Sequence, residues 1–539
     1  MIMFVMLERF RAARGSLAGV VLLALIVGYF WPLLHAIVDA KVSVFGNGIG
    51  EALVRSIGFG LALSALTTVL GALLAVATRR TRHPGPRLLT LLLLPAFLGD
   101  AMFAYEARNL FPLEMLLSDR GALASHSWLL VLQVLQHLPL AVCLYLIVFD
   151  RISQHKLDFI RATRMTATEE VRFFLMPEAA AVTVVLGIYL LFAGINCYDL
   201  PTILLRASEG TGLEFLNHAL NRLYAISPMH SKAGNVMFEG ATATGILLVL
   251  GWLWLIVWPR LHGLIVYASL RGVVRVLPNG APVLTRWFVI PCLVGVATLP
   301  PALGMILGSV MHQSDTRALT FSELNVLVIL RSFVATIVAA ALIVTALLLA
   351  SVWIRLRTGL RLRFRNFALD AGSIIAIFIG LSVPSICVAL AAIFWRLTFF
   401  NSSGGAFLLL PWVMAHFAAA MPVLLFFLYI ASLSVKDSVI DFSRVSRMSM
   451  WETVSLVFCD HNIRVYQLTY LLGITIIWNN TAVNTLFGPY VYPASVALHN
   501  ALTSGRAIIG ATTLFMVPTL MLSVLCCMTF YAINVRRGK

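Results

Sequence analysis

Charge is scarce in this sequence. Asp, Glu, Lys and Arg make up 12% of its 539 residues, where a soluble domain usually carries about 25%. With 60% of the residues hydrophobic, that scarcity excludes a water-soluble fold and makes lipid part of the solvent. Acidic residues are scarcest, 23 against 39 Lys and Arg, for a net charge of +16. In a soluble protein such an excess points to nucleic acid. Here no basic surface domain exists to host one, and nucleic acid is not an expected partner. Cysteine is sparse too: Cys143, Cys197, Cys292, Cys387, Cys459, Cys526 and Cys527 form no CxxC pair and no regular framework. Most lie in apolar runs, where cysteine acts as a small hydrophobe, so neither a disulfide nor a metal cluster is expected. No GxxxxGK[ST] loop is present, so the chain is not expected to hydrolyse ATP. No nucleophile stands with a base in a pattern that supports hydrolysis, so catalytic residues are expected to be none.

What the sequence does have is long apolar runs. Counted against the roughly 20 residues a spanning helix needs, they predict an all-α membrane protein with about twelve transmembrane helices. The first six centre near Leu25, Ala65, Leu94, Leu140, Leu190 and Val249, and the second six near Val296, Ala339, Phe378, Ala418, Ile474 and Met521. Arg9, Arg11 and Arg14 precede an apolar run over 20–34. That run reads as an uncleaved first span rather than a signal peptide, since more spans follow at once. If the N-terminus is cytoplasmic, most of the 39 basic residues fall on the inside, so both termini are expected there. VLPNGAP (276–282) carries Pro, Asn and Gly between two apolar blocks. It divides the chain into a six-helix half over 1–263, a cytoplasmic linker over 264–285 and a second six-helix half over 286–539.

The halves read as tandem repeats. DFIRATRMT (158–166) returns as DFSRVSRMS (441–449). Pro139 precedes Asp158 by the same interval at which Pro422 precedes Asp441. Arg55-Ser56 and Arg331-Ser332 each open a second span, and LNHALN (216–221) is echoed by LHNALT (498–503). Four marks in one order point to a duplicated unit, a common transporter architecture. The repeated motif lies in the cytoplasmic segment between spans four and five. Phe159, Ala162 and Met165 recur at helical spacing, as do Phe442, Val445 and Met448. Arg161 and Arg164 share another face, as do Arg444 and Arg447. Asp158 and Asp441 stand where an N-cap would start a helix. The pattern predicts a short surface helix in each half. One such loop would suit lipid phosphates; two at equivalent places suggest a partner with two equivalent sockets.

These segments resemble the loop of type I ABC importer permeases that inserts a coupling helix into the ATPase. The family pattern runs from Glu-Ala-Ala, through a Gly four residues after the second Ala, to Leu-Pro. Asp158 and Asp441 fall on the Glu, Pro177 of LMP (175–177) on the final Pro, and SMW (449–451) matches a Ser-x-Trp after the Gly. HFAAAMP (416–422) and QVLQHLP (133–139) resemble the family's span-four segment with its Pro. The resemblance covers essentially the whole chain, and fused double permeases of this layout resemble those for ferric iron, thiamine or phosphonates. It implies a transport subunit of a bacterial-type inner membrane, moving a small solute, with ferric iron the first candidate, from an extracytoplasmic solute-binding protein. It also implies two copies of a cytoplasmic ATPase, which hold ATP and Mg, leaving this chain no cofactor. Asp158, Arg161, Arg164, Met165, Asp441, Arg444, Arg447 and Met448 would then couple to the ATPase. There are departures. Both Ala positions are lost, Asp460 replaces the second Pro, and Arg164 and Arg447 occupy the Gly position. Arg lacks the backbone freedom of Gly, so the loop must bend differently or the Arg must gain a contact on the partner.

Polar residues in spans are costly and often line a path. Asn196 and Asp199 of GINCYDLP (194–201), with Asn479, Asn480, Thr481 and Asn484 of WNNTAVN (478–484), stand at the outer ends of the two fifth spans. The resemblance implies that span five lines the translocation path; otherwise these residues mark where the helix leaves lipid. Asp100 and Glu106 are expected at the outer interface. His218 and His499 lack the partners of a metal site and fit the polar face of a surface helix, so metal ligands are expected to be none. His137 and His416, inside span four, read as hydrogen-bonded structural residues. Two further readings stand beside the importer. One is an ion-coupled secondary transporter, which usually keeps acids deep in its spans, where this chain has few. The other is a degenerate, non-transporting permease acting as a membrane scaffold.

Overall fold

The computed structural model describes residues 48–80, 100, 103, 122–149, 159, 162–163, 165, 167–205, 214–226, 232–276, 326–358, 382–384, 386–392, 409–433, 441–442, 445–449, 452–453, 455, 460–480, 483–484, 518–519 and most of 521–529. Among them the regular structure is helical, with no strand. A chain this apolar must satisfy its backbone N–H and C=O groups within each segment, which the helix does.

The principal helices, in chain order, are α1 (Ile49–Arg80), α2 (Ala122–Phe149), α3 (Met176–Ile195), α4 (Asp199–Leu205), α5 (Leu216–Ile226), α6 (Lys232–Val276), α7 (Val326–Thr358), α8 (Leu409–Leu433) and α9 (Asp460–Asn479). Five stretches are long and apolar enough to span a membrane: Ile49–Val76, His126–Leu146, Val182–Thr202, Asn235–Ser269 and Ile329–Leu349. They hold the expected span centres Ala65, Leu140, Leu190, Val249 and Ala339. Ala418 and Ile474 fall in α8 and α9, and Met521 in a short helical stretch. Leu25, Leu94, Val296 and Phe378 lie outside the described residues, as do 277–285 of the expected linker. Residues 264–276 continue α6 as unbroken helix. At 45 residues, α6 is roughly 67 Å long. Its exposed apolar residues, among them Ile246, Val249, Leu253, Ile256, Leu261 and Ile265, cover about 28 Å of that length, close to the ~30 Å of a bilayer's hydrocarbon.

The same three-helix contact occurs twice. In the N-terminal bundle α1 packs on α2 and α3, and α2 on α3; in the C-terminal bundle α7 packs on α8 and α9, and α8 on α9. The contact between α1 and α3 needs glycine. A Cβ on Gly194 would sit 2.7 Å from the Cα of Gly60, so the two backbones touch. Polar pins reinforce this bundle. Ser64 Oγ donates to the Gly187 carbonyl at 2.7 Å and accepts from Trp254 Nε1 at 3.1 Å, joining α1, α3 and α6. Tyr145 on α2 bonds Thr183 on α3 at 2.9 Å. His262 Nε2 lies 3.3 Å from both the Tyr145 hydroxyl and the Thr68 carbonyl. One apolar core joins the bundles, drawing Leu53, Phe192 and Leu247 together with Ile343, Leu424 and Trp478. Gly240 of α6 gives room to Cys387 of the C-terminal part, whose thiol lies 3.8 Å from the Val236 carbonyl.

Candidate functional site: two loops and two polar elbows

In the loop over 441–449, Asp441, Phe442 and Val445 have helical backbone. The Ser446 N–H bonds the Phe442 carbonyl at 2.9 Å, and the Ser446 hydroxyl donates to the same oxygen. Arg447 then turns the chain, with φ at 54°. This left-handed conformation costs a residue with a Cβ on the order of 1 kcal/mol. Past it, Ser449 and Glu452 close a reciprocal cap: Ser449 N–H to Glu452 Oε2 at 2.7 Å, Glu452 N–H to Ser449 Oγ at 3.2 Å. The Ser449 N–H and hydroxyl hold the Glu452 carboxyl below its usual range. Thr453 bonds the Ser449 carbonyl through both its N–H and its hydroxyl at 2.9 Å. The loop is thus helix, left-handed turn, capping box, helix. It bends at the position where the loops it resembles keep Gly, in a way that suits Gly, although the residue is Arg.

This geometry revises two expectations. Asp441 lies within the helical backbone rather than capping it. Met448 does not continue the face of Phe442 and Val445, because the helix has ended before it. It packs inward against the main core, while Phe442 and Val445 are 63% and 82% exposed. Met448 therefore anchors the loop and leaves the two apolar side chains outside.

The loop over 158–166 begins the same way. Thr163 bonds the Phe159 carbonyl through its N–H at 2.9 Å and its hydroxyl at 2.7 Å. Phe159 is 53% exposed, and Met165 is half-buried just beyond the helical residues. Asp158, Arg161, Arg164 and Arg444 lie outside the described residues. After this loop the chain makes wide π turns over Val171–Leu175, where the Met176 N–H reaches back to the Val171 carbonyl. An α-helix would press the ring of Pro177 on the carbonyl of residue 173; the wider turn leaves room for it. Thr453 and Ser455 have the same wide-turn backbone, and α9 begins at Asp460, a residue type favoured at a helix start. Arg172 lies 5.3 Å from the ring centres of both Phe173 and Tyr267, tying the base of α3 to α6.

At the other end of α3 and α9 each helix breaks into a polar elbow. α3 ends at Asn196, and α4 restarts at Asp199, which is buried. Asn217 Nδ2 of α5 donates to the Asn196 carbonyl at 3.0 Å, and the Leu216 N–H at the start of α5 is satisfied by Ser56 Oγ at 2.8 Å. His218 is half-buried, stacked on Tyr198 at 4.8 Å and bonded to Thr202 at 2.7 Å. His218 shares the half-buried face of α5 with Asn221 and Arg222, while Leu216, Asn217, Ala219 and Leu220 are buried, and the elbow supplies the imidazole's partners. Asp100, expected at the outer interface, accepts from Gln136 of α2 at 3.1 Å; Glu106 lies outside the described residues.

The second elbow follows Asn479. Asn480 Oδ1 accepts from the Val483 N–H at 3.1 Å, a helix N-cap bond. Asn484 is buried, and its Oδ1 receives Trp412 Nε1 at 2.8 Å and meets His416 Nε2 at 2.9 Å. Of the predicted path residues, Asn196, Asn480 and Asn484 thus hold the elbows together. Asn479 keeps a buried Nδ2 with no hydrogen-bond partner, and Thr481 lies outside the described residues. The span-four helix braces each elbow. Gln133 precedes Pro139 by the same interval at which His416 precedes Pro422. Gln133 donates to Cys197 Sγ at 3.4 Å, as His416 meets Asn484. The sequence reading missed Gln133, Gln136, Trp412 and the Ser449–Glu452 box. Only the last had a local signal, the S-x-x-E spacing.

The elbows gather amide, hydroxyl and carboxylate groups. Among the described residues no three His, Cys, Asp or Glu side chains are grouped to hold a metal ion. Comparisons of the chain with protein-family models, with curated proteins and with solved structures find no match.

Proposed function

We propose that this chain is the membrane-spanning permease subunit of an ATP-driven importer, built as two tandem halves. It would take a small solute from an extracytoplasmic binding protein, with ferric iron favoured by the family resemblance alone. Two cytoplasmic ATPase subunits would dock on the loops near 158–166 and 441–449 and keep ATP and Mg on themselves. The carrying observation is that these distant loops begin with the same turn. In each, a hydroxyl residue closes on the carbonyl of a Phe that stays exposed, Phe159 or Phe442. The repeated packing of α1–α2–α3 and α7–α8–α9 supports the same reading. Closure of the ATPases on ATP would draw the loops together. Each loop continues through a wide turn into α3 or α9, whose far end carries a polar elbow, so motion at one end reaches polar groups at the other.

The test is Phe159→Ala with Phe442→Ala in the full chain, purified in lipid nanodiscs with the ATPase expressed beside it. The double variant should lose the ATPase and the single variants only part of it. Full retention in the double variant would refute the docking assignment. A second reading, an ion-coupled carrier, draws on the buried carboxylates Asp199 and Glu239. Uptake into proteoliposomes that lack any ATPase, driven by an ion gradient, would favour it.

A further inference from the structure

Among the described residues Arg447 is the one non-glycine at positive φ. A glycine there would make the same turn without the cost. The Arg is exposed, and no described residue forms an ion pair with it. The nearby Glu452 is engaged by Ser449. The turn itself is firmly built: Ser446 closes on the Phe442 carbonyl before the Arg, and after it Met448 packs against the core and Ser449 opens the capping box. A strained residue that no described residue of the chain uses points to a use outside it.

We infer that Arg447 pairs with a carboxylate of the cytoplasmic ATPase, set beside an apolar recess that receives Phe442 and Val445. The inference rests on the importer reading. It adds that the socket for the second loop is part apolar, part acidic. Three observations favour this occupant. The chain carries +16 overall, which complements an acidic surface. Phe442 and Val445 are exposed beside the Arg, so one recess can take all three. And the turn gives the guanidinium a fixed root. A lipid phosphate, free to move in the bilayer plane, needs no such direction, because a long Arg side chain reaches it from an unstrained helix. A fixed carboxylate bound by the planar fork does need it.

The test separates backbone from side chain. A photo-crosslinking amino acid at Val445, in intact cells, identifies the protein that meets the loop. Support requires a P-loop ATPase crosslinked within one helical turn of an Asp or Glu. The purified ATPase is then titrated against the full chain in neutral-lipid nanodiscs. Arg447→Gly eases the turn and removes the side chain; it should weaken binding by about tenfold, the loss of one charge-assisted hydrogen bond. Arg447→Glu should weaken it further, and Lys at the contacted acid of the ATPase should restore Arg447→Glu. Hydrogen exchange over 441–453 checks that the turn survives in each variant. Equal or tighter binding of Arg447→Gly would overturn the carboxylate pairing while leaving the importer reading intact. A loss confined to nanodiscs of anionic lipid would assign the Arg to phosphate and likewise overturn it. Failure of the wild-type loop to crosslink to any P-loop ATPase would overturn both readings.

Discussion

The N-terminal and C-terminal bundles make the same three-helix contact with different chemistry. α1 and α3 meet backbone to backbone at Gly60 and Gly194, and Ser64, Tyr145, Thr183, Trp254 and His262 stitch the neighbouring helices together. α7 and α9 meet through side chains: a Cβ on Gly473 would lie 3.0 Å from Val344 Cγ2, and Tyr470 OH reaches the Ile337 carbonyl at 3.2 Å. The elbows differ in how they are held. The second gathers Trp412 and His416 on one buried oxygen of Asn484, while the first spreads its bonds over Asn217 to Asn196 and Thr202 to His218, with a longer contact of Gln133 to Cys197. One bundle brings its helices together backbone to backbone and spreads its elbow bonds; the other packs through side chains and concentrates two donors on one elbow oxygen.

The largest test of this contrast is Gly194→Ala against Gly473→Ala. The added methyl meets backbone at Gly194 but a side-chain methyl at Gly473. The first should cost about 1–3 kcal/mol or abolish folding, and the second well under half as much. Thermal unfolding in detergent measures both, and equal losses would erase the contrast. Next is Asn484→Ala against Gln133→Ala. Removing Asn484 leaves two buried donors unmet, for a cost of about 2–4 kcal/mol. Gln133→Ala loses one long contact to sulfur and should cost on the order of 1 kcal/mol. Unfolding midpoints in the same detergent rank them.

The smallest effect is at the second loop. Glu452 is held below its usual range by Ser449. A carboxylate depressed on folding adds stability above its ordinary pKa, and that stability is lost as pH falls through the folded value. The cap should be intact at pH 7 and open on acidification below the usual carboxylate range. Glu452→Gln removes the titration. Protection of the Ser449 amide against hydrogen exchange should then no longer change with pH.

Much of this plan was legible in the sequence because it rests on local rules. Apolar runs of spanning length mark helices whatever they pack against, and the paired motifs drew attention to the two loops before any geometry was known. The breaks at Asn196 and Asn480 were also visible, since a run of polar residues ends an apolar helix. Their use was not. Asn484 read as a path residue, but its oxygen is occupied by Trp412 and His416, which are distant in sequence. The continuation of α6 through 264–276 was hidden because mixed basic and apolar residues suit a helix and a connection equally well.

Arg447 divides the two kinds of knowledge most sharply. The sequence by itself determined that an Arg stands where the importer loops it resembles keep Gly, and that helical material flanks it. Whether the loop bends differently or keeps the bend is a backbone question. The answer depends on Met448 finding the core and on Ser449 meeting Glu452. Arg447 stands at φ 54°, because the inward anchoring of Met448 and the cap at Ser449, both just after it, offset the cost of a left-handed Arg.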